Sequence, residues 1–148
     1  MYGYYPFASP ESIDDYQFEV QRDQNRPSEN GTIGGYEASD FLWGRLTDIA
    51  PTSKTIPLLL KHRMSNACVT LVQGDGFAEG EWASTEKSVL TANVIRKASI
   101  NLADGSVKAA GEVEQTATIP SQTGDEWRTI VVPQTVSAGT TLFSITIG

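Results

Sequence analysis

At 148 residues the chain is the size of one ordinary domain, and 39% hydrophobic with 20% charged residues is a globular composition rather than a disordered one. A formal net charge of -7 sets it against nucleic acid phosphates and anionic membrane faces, and no basic run is longer than the KHR at 61–63. One cysteine, Cys68, excludes an intrachain disulfide and any cysteine pair at metal-ligand spacing.

The chain opens on GYYPF, YQFEV and DFLWG, short β-prone runs separated by polar stretches at 9–15 and 21–35. The second stretch reads as a long surface loop, with Arg22 and Arg26 as exposed arginines and Tyr2, Tyr4 and Tyr5 as an exposed set. YGYYPF has neither the charged region nor the apolar run of a signal peptide, and no run reaches membrane-spanning length.

In the middle, TIPLLLKH puts Ile56, Leu58 and Leu60 on one side, and NACVTLV does the same with Ala67, Val69 and Leu71. Two strands or one bent strand fit, with Pro57 marking an edge or bulge. Gly74-Asp75-Gly76 is a turn, too short for a phosphate loop. A short helix competes at 77–82, and 88–95 returns to strand because Val, Thr and Ile dominate it.

KASINL alternates Ala98, Ile100 and Leu102 against Lys97, Ser99 and Asn101, and Asp104-Gly105 supplies a tight turn before Val107 and Ala109 resume the alternation. That is a hairpin. WRTIVV is a further strand, stopped by Pro133. TTLFSITI is the last, with Thr141, Phe143, Ile145 and Ile147 on one face and Leu142, Ser144 and Thr146 on the other. Many short strands with turn signals and no long helical period predict an all-β, antiparallel β-sandwich with at most one short helix, near 77–82.

No catalytic constellation stands out. The only histidine, His62, falls on the side of Ile56, Leu58 and Leu60, which favours a structural role over a base with Asp40 as acid and Ser65 as nucleophile. Asp14-Asp15, Glu79 with Glu81, Glu112 with Glu114, and Asp125-Glu126 read as solvated carboxylates, Glu112 and Glu114 sharing one face. Asp23-Gln24-Asn25 and Asn30-Gly31 lack the ligand ladder of an EF-hand loop. Cys68 reads as a small buried hydrophobe. Trp43, Trp82 and Trp127 fit core packing better than a sugar-stacking platform. No cofactor or metal site is expected.

The blocks YYPF, SDFLWG, IPLLLKHRMSNACVTL, GDGF and IVVPQTVSAGTTLFSITI, in this order, resemble the fimbrillin-like family of secreted Bacteroidales proteins over nearly the whole chain. The resemblance implies a transthyretin-like, Greek-key β-sandwich and lipoprotein export to the outer membrane surface. It also implies a non-catalytic pilus or adhesion subunit that joins other pilin subunits by β-strand exchange. On that reading residues 1–50 form an N-terminal β segment, the end of a preceding domain, and 54–148 a sandwich core. The export signal and anchor cysteine are expected upstream of Met1, and a further strand after Gly148. The expected assembly edge is Phe143, Ile145 and Ile147, since TTLFSITI runs to Gly148 with no returning strand. The alternatives are a carbohydrate-binding sandwich, with host or bacterial surface glycans or proteins as partners, and less readily a small hydrolase. Nucleic acid is excluded as a partner.

Overall fold

The structure is a computed structural model that describes residues 1–50 and 52–148. Among the described residues eleven strands run in chain order: β1 (Tyr2–Tyr5), β2 (Tyr16–Glu19), β3 (Leu42–Arg45), β4 (Lys61–His62), β5 (Ser65–Thr70), β6 (Lys87–Thr91), β7 (Lys97–Asn101), β8 (Ser106–Ala109), β9 (Ser121–Thr123), β10 (Glu126–Val131) and β11 (Phe143–Ile147). Every ladder between them is antiparallel, in the orders β1-β3-β4, β5-β10-β9, β11-β6 and β2-β7-β8. The chain is an all-β, antiparallel sandwich, and strands distant in sequence pair with one another, as Greek-key connections require. No helix among the described residues is long and apolar enough to cross a membrane.

The hairpin read from KASINL-ADG-SV is present. Ala98 faces Ala109 and Ile100 faces Val107 across β7 and β8, and Ala98, Ile100 and Leu102 are fully buried. Gly105 closes the turn with a φ of 74°, and the Trp43 ring packs where its Cβ would stand. Trp43 is locked from its other end as well, because its indole N–H donates to the Leu102 carbonyl at 2.8 Å.

One core joins residues from both sides of position 50. Phe18, Val20, Phe41 and Trp43 pack with Ala98, Ile100, Leu102, Ile130 and Val132. The aromatic members meet in tilted pairs, with Phe18 and Phe41 centroids 5.4 Å apart, a geometry that rings favour over direct stacking. Tyr4 belongs to this group rather than to an exposed set: its ring lies 6.0 Å from Phe41 and its hydroxyl donates to the Ala8 carbonyl. Tyr2 and Tyr5 point to solvent. Burial pushes the Tyr16 phenol up, with Tyr4 adding to the effect.

The alternating run at 55–60 does not pair as a strand, and only Lys61–His62 joins a ladder, with Leu42 and Trp43 of β3. The reason is a notch made by two glycines in register, Gly3 of β1 and Gly44 of β3. A Cβ on Gly3 would overlap the Leu58 side chain and one on Gly44 would overlap the Leu59 carbonyl oxygen. The leucine segment therefore lies across the sheet face instead of along its edge.

Two short helical turns are present among the described residues, where the sequence reading allowed one. The turn expected at 77–82 forms four residues later, as α2 (Glu81–Ser84), because the Glu81 carboxylate reaches back to accept the Ala78 N–H at 2.6 Å. The other is α1 (Gly35–Ser39), which starts where Gly35 presses on the Asp23 backbone. Ser39 stitches α1 in place: its hydroxyl donates to the Gly35 carbonyl and accepts the Gln21 N–H.

Residues 21–35 are therefore more than a surface loop. Gln24 is buried, and its amide donates to the Ile130 carbonyl at 2.8 Å while its oxygen accepts the Ile130 N–H at 2.7 Å. A side chain takes the place of a neighbouring strand at the point where β9 ends. Gln134 repeats the device at Ile95, accepting its N–H and donating to its carbonyl.

Candidate assembly edge

The expected edge residues Phe143, Ile145 and Ile147 all lie on β11, in register with Thr91, Val89 and Lys87 of β6. Residues directly opposite in an antiparallel pair share a face. Val89 and Thr91 are buried, so the three apolar side chains of β11 point to the inner side of the sandwich. They are nonetheless poorly covered: Ile145 is 45% and Ile147 46% exposed.

The hydrogen-bond phase of β11 follows from its two ends. Ala92 N–H donates to the Leu142 carbonyl and Gly148 N–H to the Glu86 carbonyl, so the even-numbered residues 142 to 148 bond toward β6. Because bonding alternates along an antiparallel ladder, Phe143, Ile145 and Ile147 aim their own N–H and C=O groups away from β6. Among the described residues β11 has no second neighbour. The same three residues thus carry both the free main-chain groups and the inward apolar side chains.

A second open edge belongs to the same core. Ala67 and Val69 of β5 stand opposite Thr129 and Trp127 of β10 and share their face. Thr129 meets Thr118, hydroxyl to hydroxyl at 3.2 Å, and Thr118 bridges to Thr91 of β6. The Trp127 and Thr129 face of one sheet therefore looks onto the Thr91 and Val89 face of the other. Between Thr118 and Ser121 the chain passes from the side of β6 away from β11 to the side of β10 away from β5. Among the described residues this closes one flank and leaves β5 and β11 as edge strands bordering an open seam. Val69 and Leu71 on its far side are half-buried, as Phe143 is on the near side.

One end of the seam is sealed by charge. The Lys87 side chain, 8% exposed, reaches Asp125 at 2.9 Å, donates to the Trp82 carbonyl at 2.8 Å and lies 4.3 Å above the Trp82 ring. The Trp82 indole donates to the other Asp125 oxygen at 2.7 Å. Hydrogen bonding from Lys87, and then from Trp82, holds the Asp125 carboxyl below its ordinary range.

A fimbrillin-like family model matches residues 1–148. The chain belongs to the fimbrillin-like family. No curated protein matches it. Among solved structures it is similar to the one named "putative cell adhesion protein from Bacteroides uniformis ATCC 8492", with a TM-score of 0.67 and 15% identity. The match covers 99% of this chain and 52% of that one, so the fimbrillin-like chain spans about half the length of that structure. At this identity the likeness is one of fold.

Other candidate residues fall elsewhere on this fimbrillin-like fold. Trp43 and Trp127 are buried and Trp82 carries Lys87 on its face, so the three rings form no shared exposed platform. His62 is not packed with the leucines: its side chain is 74% exposed and its Nδ1 lies 2.7 Å from Asp40. Ser65 sits on β5 opposite Val131, exposed. Cys68 is exposed too, because strand alternation gives the inner positions to Ala67 and Val69.

Glu112 and Glu114 part company. Glu114 is gripped by the buried Arg96, whose Nε donates to it at 3.1 Å, and by Arg22 at 2.7 Å. Arg96 also donates to the Val20 carbonyl at 2.5 Å and pairs with Glu19. Sequence reasoning missed this arginine, and its sequence cue is its phase: it falls on the same side of the alternation as Ala98, Ile100 and Leu102.

Proposed function

We propose that this chain is a non-catalytic structural or adhesion subunit of a cell-surface fimbria that assembles by accepting a β-strand at β11. The observation that carries the reading is the coincidence on Phe143, Ile145 and Ile147 of main-chain groups turned away from β6 with apolar side chains that are half-buried at Phe143 and nearly half exposed at Ile145 and Ile147. An added strand would draw affinity from the main-chain bonds and specificity from the side chains it lays into the seam. Family membership supports a partner of the same kind, another pilin subunit. It likewise supports a place at the outer membrane surface, reached as a lipoprotein.

Hydrogen exchange tests the reading. In dilute free protein, amides of Phe143, Ile145 and Ile147 should exchange faster than those of Ser144 and Thr146. Synthetic strand peptides of about eight residues, with β-branched residues at alternate positions, should slow the three fast amides and raise the melting temperature. If no peptide slows them or moves the melting temperature, β11 is not a strand acceptor.

A further inference from the structure

We propose that the cleft between β3, β4 and the leucine segment binds a small acid, a carboxylate or sulfate group carried on a ring, through Arg45, Lys61 and Arg63. The inference is independent of the strand-acceptor reading, which rests on other residues.

Strand register brings the three cations together. Trp43 and Arg45 alternate onto the same face of β3, and Lys61 of β4 stands directly opposite Trp43. Arg63 continues the register, since its N–H donates to the Phe41 carbonyl at 2.8 Å. These side chains line a cleft of about 280 Å³, with Leu59 as a further wall. That is near the lower limit of small-ligand clefts, roughly 300 Å³, so it has room for one ring and not for a folded segment.

Charge selects the ligand. Among the described residues Arg22, Lys87, Arg96 and Arg128 each pair with a carboxylate, whereas Arg45, Lys61 and Arg63 pair with none. Asp104, on the adjacent hairpin turn, is engaged with Ser106: hydrogen bonding from Ser106 is the first cause that holds its carboxyl down, and the Arg45 and Arg63 charges add to it. Three cations are thus gathered on a chain of net charge -7, and an oxyanion entering the cleft would relieve their mutual repulsion.

Arg63 is the most prepared of the three. Its guanidinium lies 4.8 Å from the centroid of the Trp43 ring, and its buried Nε has no hydrogen-bond partner. Stacking on an indole fixes the plane of the fork and leaves its terminal N–H groups, the ones that grip carboxylate or sulfate oxygens in pairs. Arg45 is held by one long bond, Nη1 to the Ala103 carbonyl at 3.4 Å. Leu59, 73% exposed, offers the C–H face of a ring an apolar contact beside the cations. A peptide strand is disfavoured here, because β4 is two residues long and carries Lys61 at the sheet edge, both of them devices that keep edges from pairing.

Nuclear magnetic resonance titration of the full chain tests the proposal, with sodium glucuronate, sodium sulfate and neutral methyl glucoside as probes at low, matched ionic strength. Glucuronate should shift the side-chain N–H signals of Arg45 and Arg63 and the amides of 43–46 and 61–63. Sulfate should do so more weakly, and methyl glucoside should not. Lys61→Gln and Arg45→Gln change exposed side chains and leave the core alone, and each should weaken glucuronate binding about tenfold. Arg63→Lys keeps the charge but loses the stacked fork, and should weaken it too. Lys108→Gln removes the same charge from β8, outside the cleft, and should leave binding unchanged. Equal binding of sulfate and glucuronate, an equal loss in Lys108→Gln, or no shift with any probe would overturn the proposal. So would an acidic peptide that shifts these signals when glucuronate does not.

Discussion

The side-chain amide of Gln24 satisfies both main-chain groups of Ile130, across 106 residues of sequence. Gln24→Ala would leave a buried N–H and a buried C=O without partners, at a cost of about 3 kcal/mol. Urea denaturation should show this loss. Gln24→Glu sets a buried carboxylate oxygen against the Ile130 carbonyl oxygen, so near neutrality it should be no milder than Gln24→Ala.

Gly44 tests the notch under Leu59. Adding a methyl group there overlaps a carbonyl oxygen, which cannot rotate aside as a side chain would, and Gly44→Ala should cost about 1 to 3 kcal/mol. Gly74 has open space around it, so Gly74→Ala should leave stability nearly unchanged. Equal effects on thermal stability would contradict the notch.

Acid should weaken the protein partly through Glu114. The Arg96 hydrogen bond is the first cause that holds its carboxyl below the ordinary range, with Arg96 and Arg22 charge adding to it. A depressed value means the stabilisation is full above the unfolded pKa, about 4.3, and is lost as pH falls through the lower folded value. Glu114→Gln should therefore be less stable than the parent near neutrality, with the gap shrinking below about pH 4. A gap that stays constant with pH would contradict the assignment.

His62→Gln should change stability by no more than about 0.5 kcal/mol, since an exposed ion pair contributes little. No ester, peptide or glycoside hydrolysis should depend on it. Calorimetry and hydrolase assays on the variant check both points.

Strand positions were legible wherever alternation met a turn signal, as in KASINL-ADG-SV, because a half-buried strand writes its period directly into the sequence. Position 56–60 misled for the same reason: alternating leucines also suit a segment that packs two side chains over a glycine notch and pairs with nothing. Cys68 was misjudged from residue type, although the period that placed Ala67 and Val69 inside also put Cys68 outside. Gln24 was illegible, since it serves a group 106 residues away and nothing local marks the partner, and Arg96 showed only its phase, not its partners. The edge residues of β11 were nameable from the sequence, but their hydrogen-bond phase required the ladder with β6.

The same distances govern how the chain comes together in time. β2 finds its partner in β7, and Phe18 and Val20 pack with Ile130 and Val132, near the far end of the chain. A nascent chain holds half of this core until residues 130–132 emerge. Such a topology folds slowly, because long loops must close before any contact rewards them. The core around Phe41 should close only once residues 130–132 have joined it.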